Sequence, residues 1–355
     1  MKKYIPYMLL LGLLTAMFLI SFVAKKQKIS TKNLFYMDTY INIKIYSDNR
    51  EADNALKEVE KIYKEYHQLT DRYNGYEGLV NVHYINNNKT EERVLSIDKR
   101  LYDILEYGLL WKNKSNGLFN IEMGSVIDVW KKYLANKDGI PTKEELEIAT
   151  KNINEVKLLG DNKILNNNPN IDLGAIAKGY VTDVAGEYLK NKGFDKFIIN
   201  AGGQVLVGNK YHKDLYKIGV KSPLNNEENL TIINGENISV ATSGSYERFY
   251  EYNGVSYNHV INPNTLYPGT YMKSVTVLSG DSKLNDVLTT TLFLMPIDEG
   301  KKFISQMNEV EAVWFTNDNK IIKSEGFNKY EQKWFKISFK SSCHFSSYDM
   351  DNCNY

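Results

Sequence analysis

Residues 171–209 read IDLGAIAKGYVTDVAGEYLKNKGFDKFIINAGGQVLVGN. The spacing predicts an amphipathic helix from about Ala177 to Asn191, with Gly193 as its stop. The apolar run Phe197–Asn200 then predicts a strand that ends at Gly202-Gly203. An ordinary core helix and strand do not need Asp172-Leu-Gly-Ala-Ile-Ala-Lys-Gly at one end and Asn200-Ala-Gly-Gly at the other. Glycine lets backbone approach a ligand closely, and a first helical turn offers free N–H groups to an anion. Taken alone, Asp172 reads as the N-cap of a surface helix, and the glycine pair as a turn.

The chain on either side of this stretch alternates helix and strand without a βαβ rhythm, which predicts an α+β fold. Residues 35–46, FYMDTYINIKIY, read as one strand. Residues 51–69 place Ala52, Ala55, Leu56, Val59, Ile62, Tyr66 and Leu69 at helical spacing. A polar loop follows over Asp71–Asn88, then a helix from Asp98 to about Asn113. Thr142-Lys-Glu-Glu145 matches a capping box. The second half is richer in strands, expected at Tyr216–Val220, Leu230–Ile233, Ser239–Ala241, Ser256–Ile261, Lys273–Leu278, Ala312–Thr316 and Lys320–Ser324. Helices are expected over Ser282–Leu294 and Glu299–Met307.

The 355 residues carry 44 basic and 43 acidic side chains, a balance that gives no reason to expect nucleic acid as a partner. Cys343 and Cys353 are the two cysteines, so the body has neither a disulfide framework nor a thiolate metal site. Residues 339–355 read as a disordered tail. The run Tyr4–Ala24 is uncharged, flanked by Lys2-Lys3 and Lys25-Lys26, and about as long as the roughly 20 residues that cross a bilayer. Residues 1–27 therefore read as a signal anchor, with a cleaved signal peptide as the alternative. Residues 28–338 would form one body outside the cytoplasm, held at the bacterial cell membrane.

Three further clusters carry chemistry. Val240-Ala-Thr-Ser-Gly-Ser-Tyr-Glu-Arg248 ends a strand in hydroxyls and a tight turn. Tyr257-Asn-His-Val-Ile-Asn-Pro263 places His259 just beyond it. Asp286, Thr289 and Thr290 share one face of a predicted helix. An acid and hydroxyls on one face suit a hard, oxygen-loving cation such as Mg²⁺, and ordinary helix capping explains them as well.

Together these clusters resemble the ApbE family of FAD:protein FMN transferases over most of residues 34–325. Met37-Asp38-Thr39 is similar to the family's opening Met-Gly-Thr, and Gly117-Leu-Phe-Asn120 to its Gly-x-Phe-Asp segment, with Trp130 downstream. Asp172–Gly179 carries Asp-Leu-Gly-x-x-x-Lys-Gly, and Asn200–Gly203 carries Asn-x-Gly-Gly. Thr242–Arg248 carries Thr-Ser-Gly-x-Tyr-x-Arg, His259–Pro263 carries His-x-Ile-x-Pro, and Asp286–Thr290 carries Asp-x-x-x-Thr.

The resemblance implies an ApbE-like, T-fold-related body that binds FAD as substrate and Mg²⁺ at its diphosphate. It implies metal ligands at Asp286 and Thr290, with backbone oxygens of Ala175 and Thr289. It implies flavin-nucleotide contacts at Met37, Tyr73, Leu118, Phe119, Asn120, Asp172, Lys178 and Ile261, and His259 is the candidate base. The reaction implied is transfer of FMN to a threonine of an acceptor flavoprotein that carries a Ser/Thr-Gly-Ala-Thr-type site. A Mg²⁺-dependent FAD diphosphatase and a non-catalytic surface flavin binder are the competing readings. Asp38 stands where the family has glycine, and a side chain there is expected to crowd the adenine. Asn120 replaces the usual aspartate, and residues 262–268 lack the glycine that commonly follows Pro-x-Thr.

Overall fold

The computed structural model describes residues 28–332, apart from 89–92, 152, 211–213 and 225–227. The Tyr4–Ala24 segment and the tail with both cysteines lie outside the described residues. Among the described residues no helix is long and apolar enough to cross a membrane.

The fold opens on a hairpin, β1 (Ile29–Tyr36) and β2 (Thr39–Tyr46), in full antiparallel register. This replaces the single strand expected over 35–46. Alternation runs unbroken through the tip, and neither Gly nor Pro marks the turn. Met37 and Asp38 make it instead, both at φ 54°, the backbone of a type I′ turn. Helix α1 (Ala52–Thr70) follows and buries Ala52, Ala55, Leu56, Val59, Tyr63, Tyr66 and Leu69. The expected loop over Asp71–Asn88 contains a short helix, α2 (Val82–Asn87), whose N-cap Asn81 accepts from the Tyr84 amide at 2.9 Å. Then come β3 (Val94–Ser96), α3 (Lys99–Lys114), α4 (Gly124–Asn136) and α5 (Lys143–Lys151). The capping box at α5 is real: Thr142 and Glu145 bond each other's amides.

A small sheet partner, β4 (Leu158–Gly160) and β5 (Lys163–Leu165), precedes the opening stretch, which forms α6 (Ala177–Asn191), β6 (Phe197–Ala201) and β7 (Gln204–Val207). Gly193 stops α6 at φ 81°. The second half supplies β8 (Tyr216–Lys221), β9 (Asn229–Gly235), β10 (Ile238–Gly244), β11 (Phe249–Tyr252), β12 (Val255–Asn258) and β13 (Ser274–Ser279). It ends with α7 (Ser282–Phe293), α8 (Ile297–Ile304), β14 (Glu311–Phe315) and β15 (Ile321–Lys323).

Eight strands form one antiparallel sheet in the order β1-β2-β6-β7-β10-β13-β14-β15. The α+β expectation therefore holds. On one face Ile41, Ile43, Ile45, Phe197 and Ile199 pack with residues of α1, α6 and α7. On the other, the β8–β9 hairpin covers Val207, Val240, Leu278 and Val313. A third cluster, not foreseen from sequence, joins α4 and α5 to Tyr250 and Ile261. Trp130 is its pin: the indole N–H donates to Leu266 O at 2.7 Å and the ring stacks on Tyr257.

Helices α6 and α7 touch at glycine distance. A Cβ on Gly179 would collide with the Ser282 carbonyl and stand 2.6 Å from the Asp286 Cβ. Two carboxylates lock the crossing. Asp286 of α7 accepts from the Gly179 amide at 2.9 Å. Asp183 of α6 accepts from Ser282 and Lys283 amides at 2.8 and 2.9 Å. Each acid thus satisfies amides at the start of the other helix, which no intrahelical carbonyl reaches.

Gly179→Ala is expected to force the helices apart and destabilise the protein by about 1–3 kcal/mol, the usual cost of overpacking. Chemical denaturation measures it. A second expectation follows from burial and the facing Asp281, which push the Asp183 carboxyl up to about 7. Between about pH 4 and 7 the folded state then holds a proton that the unfolded chain has released. This group's contribution to stability is full below pH 4 and is lost as pH rises through 7. Asp183→Asn should flatten the fall in stability between pH 5 and pH 8.

Candidate active site

The first turn of α6 departs from regular helix. Its N-cap is Ile176, at φ −143°, without a side-chain cap. Asp172 is therefore not the N-cap that its position suggested. Its carboxylate instead accepts from the Gly174 amide at 2.8 Å and from Arg72 at 2.6 Å, and Lys131 lies 3.4 Å away. Burial alone would raise the Asp172 carboxyl, but the Lys131 and Arg72 charges and the Gly174 amide outweigh it and hold the group below the usual carboxylate range. Arg72 is itself buried, and also reaches Asp128 and Asn170 at 2.8 Å each.

Gly179 is in the first turn, where amides have no intrahelical partner, and its amide donates to Asp286, while Ala175 lies just before the N-cap. Among the described residues no hydrogen bond reaches the Ala175 carbonyl. That oxygen precedes the helix whose first turn the Asp286 carboxylate caps. Lys178 is 3.8 Å from Asp286 Oδ1 and donates to Gly174 O at 3.3 Å. The hydroxyls of Thr289 and Thr290 both bond back to Asp286 O, at 2.9 and 3.5 Å. Thr289 is fully buried, whereas Thr290 is half-buried. A carboxylate, a hydroxyl and an unpaired carbonyl make a donor set of hard oxygens, which fits Mg²⁺. No group of three or more His, Cys, Asp or Glu with metal-binding proximity occurs among the described residues.

His259 is fixed by the chain just before it. Its amide donates to Arg248 O at 3.1 Å, and its Nδ1 lies 3.2 Å from the same oxygen. A carbonyl only accepts, so in neutral imidazole Nδ1 carries the proton and Nε2 keeps a free lone pair. Surrounding protein and the charges of Arg248, Lys178 and Lys131 pull the His259 pKa down to about 4, although the ring edge stays open to solvent. Arg248 pairs with Asp38 at 3.2 Å, which ties the hairpin tip to this loop. Asp38 thus points at Arg248, a contact absent from any reading of the sequence. Glu247 also joins the cluster. Crowding raises its carboxyl, with Lys178, Arg248, Lys221 and Asp286 as its charged neighbours.

The remaining candidates divide. Tyr73 is exposed and carries Lys131 over its ring at 4.8 Å, beside Asp172. Met37 sits at the strained tip, its amide donating to His67 Nδ1. Leu118 borders a cavity of about 560 Å³ with Asn262, Thr265 and Leu294. Asn120 caps the Glu122 amide at 2.9 Å. Phe119 and Ile261 are buried, in the main and third cores respectively. Gly202, at φ 60°, makes room for Thr39.

The sequence model of the ApbE family matches residues 37–314. The chain belongs to the ApbE family. It is 26% identical over 311 residues to the FAD:protein FMN transferase of Vibrio cholerae, spanning 84% of this chain and 90% of that protein. It is 37% identical over 158 residues to one from Klebsiella pneumoniae, but spans only 48% of that relative. The crystal structure of the ApbE protein from Thermotoga maritima superposes with a TM-score of 0.77, at 25% identity, over 86% of this chain and 100% of that one. The V. cholerae flavin transferase shares the fold at a TM-score of 0.74.

Arg72, Lys131, Glu247 and the Asp38–Arg248 pair escaped sequence reasoning. Arg72 and Lys131 do adjoin singled-out residues, Tyr73 and Trp130, but their partners lie far away in the chain.

The His259 geometry yields a pH test. Its pKa of about 4 is set by burial and then by the charges of Arg248, Lys178 and Lys131. A diphosphate would offset those charges and raise the value. The acid limb of kcat/KM, which reports the free enzyme, should therefore fall near pH 4, and that of kcat at a higher pH. Coincident limbs would remove His259 as the titrating base.

Proposed function

We propose that this ApbE-family protein transfers the FMN moiety of FAD to a threonine hydroxyl of an acceptor flavoprotein, with release of AMP. The observation that carries the reading is the crossing of Asp286 to the Gly179 amide. It sets a carboxylate, with Lys178 3.8 Å away, at a helix entry suited to a metal and phosphates. The names of the relatives in V. cholerae and K. pneumoniae support the same activity.

In this reading Asp286, Thr290 and the carbonyls of Ala175 and Thr289 hold Mg²⁺. Bound there, the ion would neutralise charge on the diphosphate oxygens and on the departing phosphate. Lys178 and the first turn of α6 face the same oxygens. The acceptor threonine oxygen forms a bond to the FMN phosphorus as the bond to the AMP oxygen breaks. The hydroxyl proton passes to Nε2 of His259, whose Nδ1–H stays on Arg248 O. Tyr73, Leu118 and Met37 line the nucleotide, with Asp172 holding the loop that precedes the helix. The acceptor carries a Ser/Thr-Gly-Ala-Thr-type site. Tyr4–Ala24 anchors the protein in the cell membrane and the body lies outside the cytoplasm, where such acceptors are exposed.

The test incubates full-length protein with FAD, Mg²⁺ and a flavoprotein acceptor domain. Covalent flavin on the acceptor, surviving a denaturing gel, is expected. FMN and AMP formed equally without acceptor would replace transfer by hydrolysis, and bound, intact FAD would leave a binder. Asp286→Asn keeps an oxygen for the Gly179 amide but loses the charge. It should melt like wild type yet lose at least about a hundredfold in turnover, the scale of a lost charge-stabilising group. Undiminished turnover in that variant would remove Asp286 from the metal site.

A further inference from the structure

Three cations put their charge on His259: Arg248, Lys178 and Lys131. In the structure each leans on a carboxylate, Arg248 on Asp38, Lys178 on Asp286 and Lys131 on Asp172. The three pairs are not equivalent. Asp172 already has both oxygens occupied without Lys131, one by the Gly174 amide and one by the buried Arg72 at 2.6 Å. Lys131 stands 3.4 Å from the oxygen that Arg72 holds, as an additional and longer contact. Its other partner is Tyr73, whose hydroxyl and ring face it, and Tyr73 is 59% exposed. A cation over an exposed aromatic gains only about 0.5–1 kcal/mol, so Lys131 leaves that perch at little cost.

The backbone beneath Lys131 does not share this freedom. Trp130 is buried, bonds Leu266 O and stacks on Tyr257, so α4 is pinned to the β11–β12 segment that leads directly to His259. The ammonium is thus carried on a flexible stem from a fixed point beside the candidate base. A strongly hydrated point charge of this kind suits phosphate oxygens.

We propose that Lys131 is a phosphate-binding residue of this site, one that leaves Tyr73 and Asp172 to meet the diphosphate of the flavin nucleotide. The proposal rests on the reading of FAD as substrate. It adds a second cation, from α4, to Lys178 and the helix entry of α6. When Lys131 moves, Arg72 still neutralises Asp172, so the loop before α6 keeps its shape. Tyr73 is uncovered at the same moment and becomes free to pack on the nucleotide.

The test is equilibrium binding, which needs no turnover. Full-length wild type, Lys131→Met and Lys131→Arg are titrated with FAD and with riboflavin, which has no phosphate, in the presence of Mg²⁺. Lys131→Met should bind FAD roughly tenfold more weakly, the effect of one charged hydrogen bond, with riboflavin unchanged. Its FAD affinity should also depend less steeply on salt, and Lys131→Arg should recover part of the loss. Lys131→Gln carries the same expectation should the methionine variant fold poorly. Wild-type FAD affinity in Lys131→Met, or equal losses for FAD and riboflavin, overturns the proposal while FAD binding stands. A wild type that binds no flavin overturns the FAD reading itself and Lys131 with it.

Discussion

Everything at the candidate site hangs on the way α6 and α7 cap each other. A helix start leaves amides without intrahelical partners, and these are usually met by a local side chain or by water. Here Asp286 crosses from α7 to Gly179, and Asp183 crosses from α6 to Ser282 and Lys283. The exchange needs the helices close, and Gly179 permits the approach. The same contact sets the Asp286 carboxylate at the entry of α6, 3.8 Å from the Lys178 ammonium. The buried network beneath, where Asn285 bonds Ser239 O and Ser279, holds α7 in register with the sheet. Any rotation of α7 that moved Asp286 would also break these bonds.

The charges around His259 are arranged for exchange, not for stability. Exposed ion pairs contribute between about 0 and 1 kcal/mol, and Asp38–Arg248 is of this kind, at 80% and 55% side-chain exposure. Such a pair gives way to a better anion. Arg72 with Asp172 is the opposite case, at 8% and 11% exposure, and removing either partner would strand a buried charge. The site therefore has a rigid pair that shapes the loop before α6 and softer pairs whose cations face the opening. Burial first, and these cations second, hold the His259 pKa down, so offsetting the cations with an anion would raise it.

The pieces legible in the sequence were those with local signals. Helix α6 had its periodicity and Gly193, α5 its capping box, and α7 the acid and threonines one turn apart. Helix α4 gave no such signal, because Met123 opens it without a side-chain cap. The break between β1 and β2 was invisible, since period-two alternation runs through both strands and the turn is made by Met37 and Asp38. Contacts set by tertiary packing left no local trace. Arg72 meets Asp172 across 100 positions and Tyr63 meets Thr182 across 119. Motif matching placed Phe119 and Ile261 near the nucleotide by order in the chain. It could not say that their side chains face inward, because burial is a property of the assembled cores.

The hairpin tip is where local and tertiary demands conflict most openly. A left-handed backbone costs an ordinary residue roughly 1–2 kcal/mol, and Met37 lacks the short polar side chain that eases the strain for Asp38. The turn persists because it is held on three sides. His67 accepts the Met37 amide, Thr39 fills the space that Gly202 leaves, and Asp38 reaches Arg248. The ApbE resemblance places glycine at position 38, where the same turn would form with less strain and without the charge. An aspartate there gives up that ease for a tether between the sheet edge and the loop bearing His259. The tether joins a backbone that resists movement to a surface ion pair that yields, so the hairpin sets where Arg248 rests without fixing where it can go.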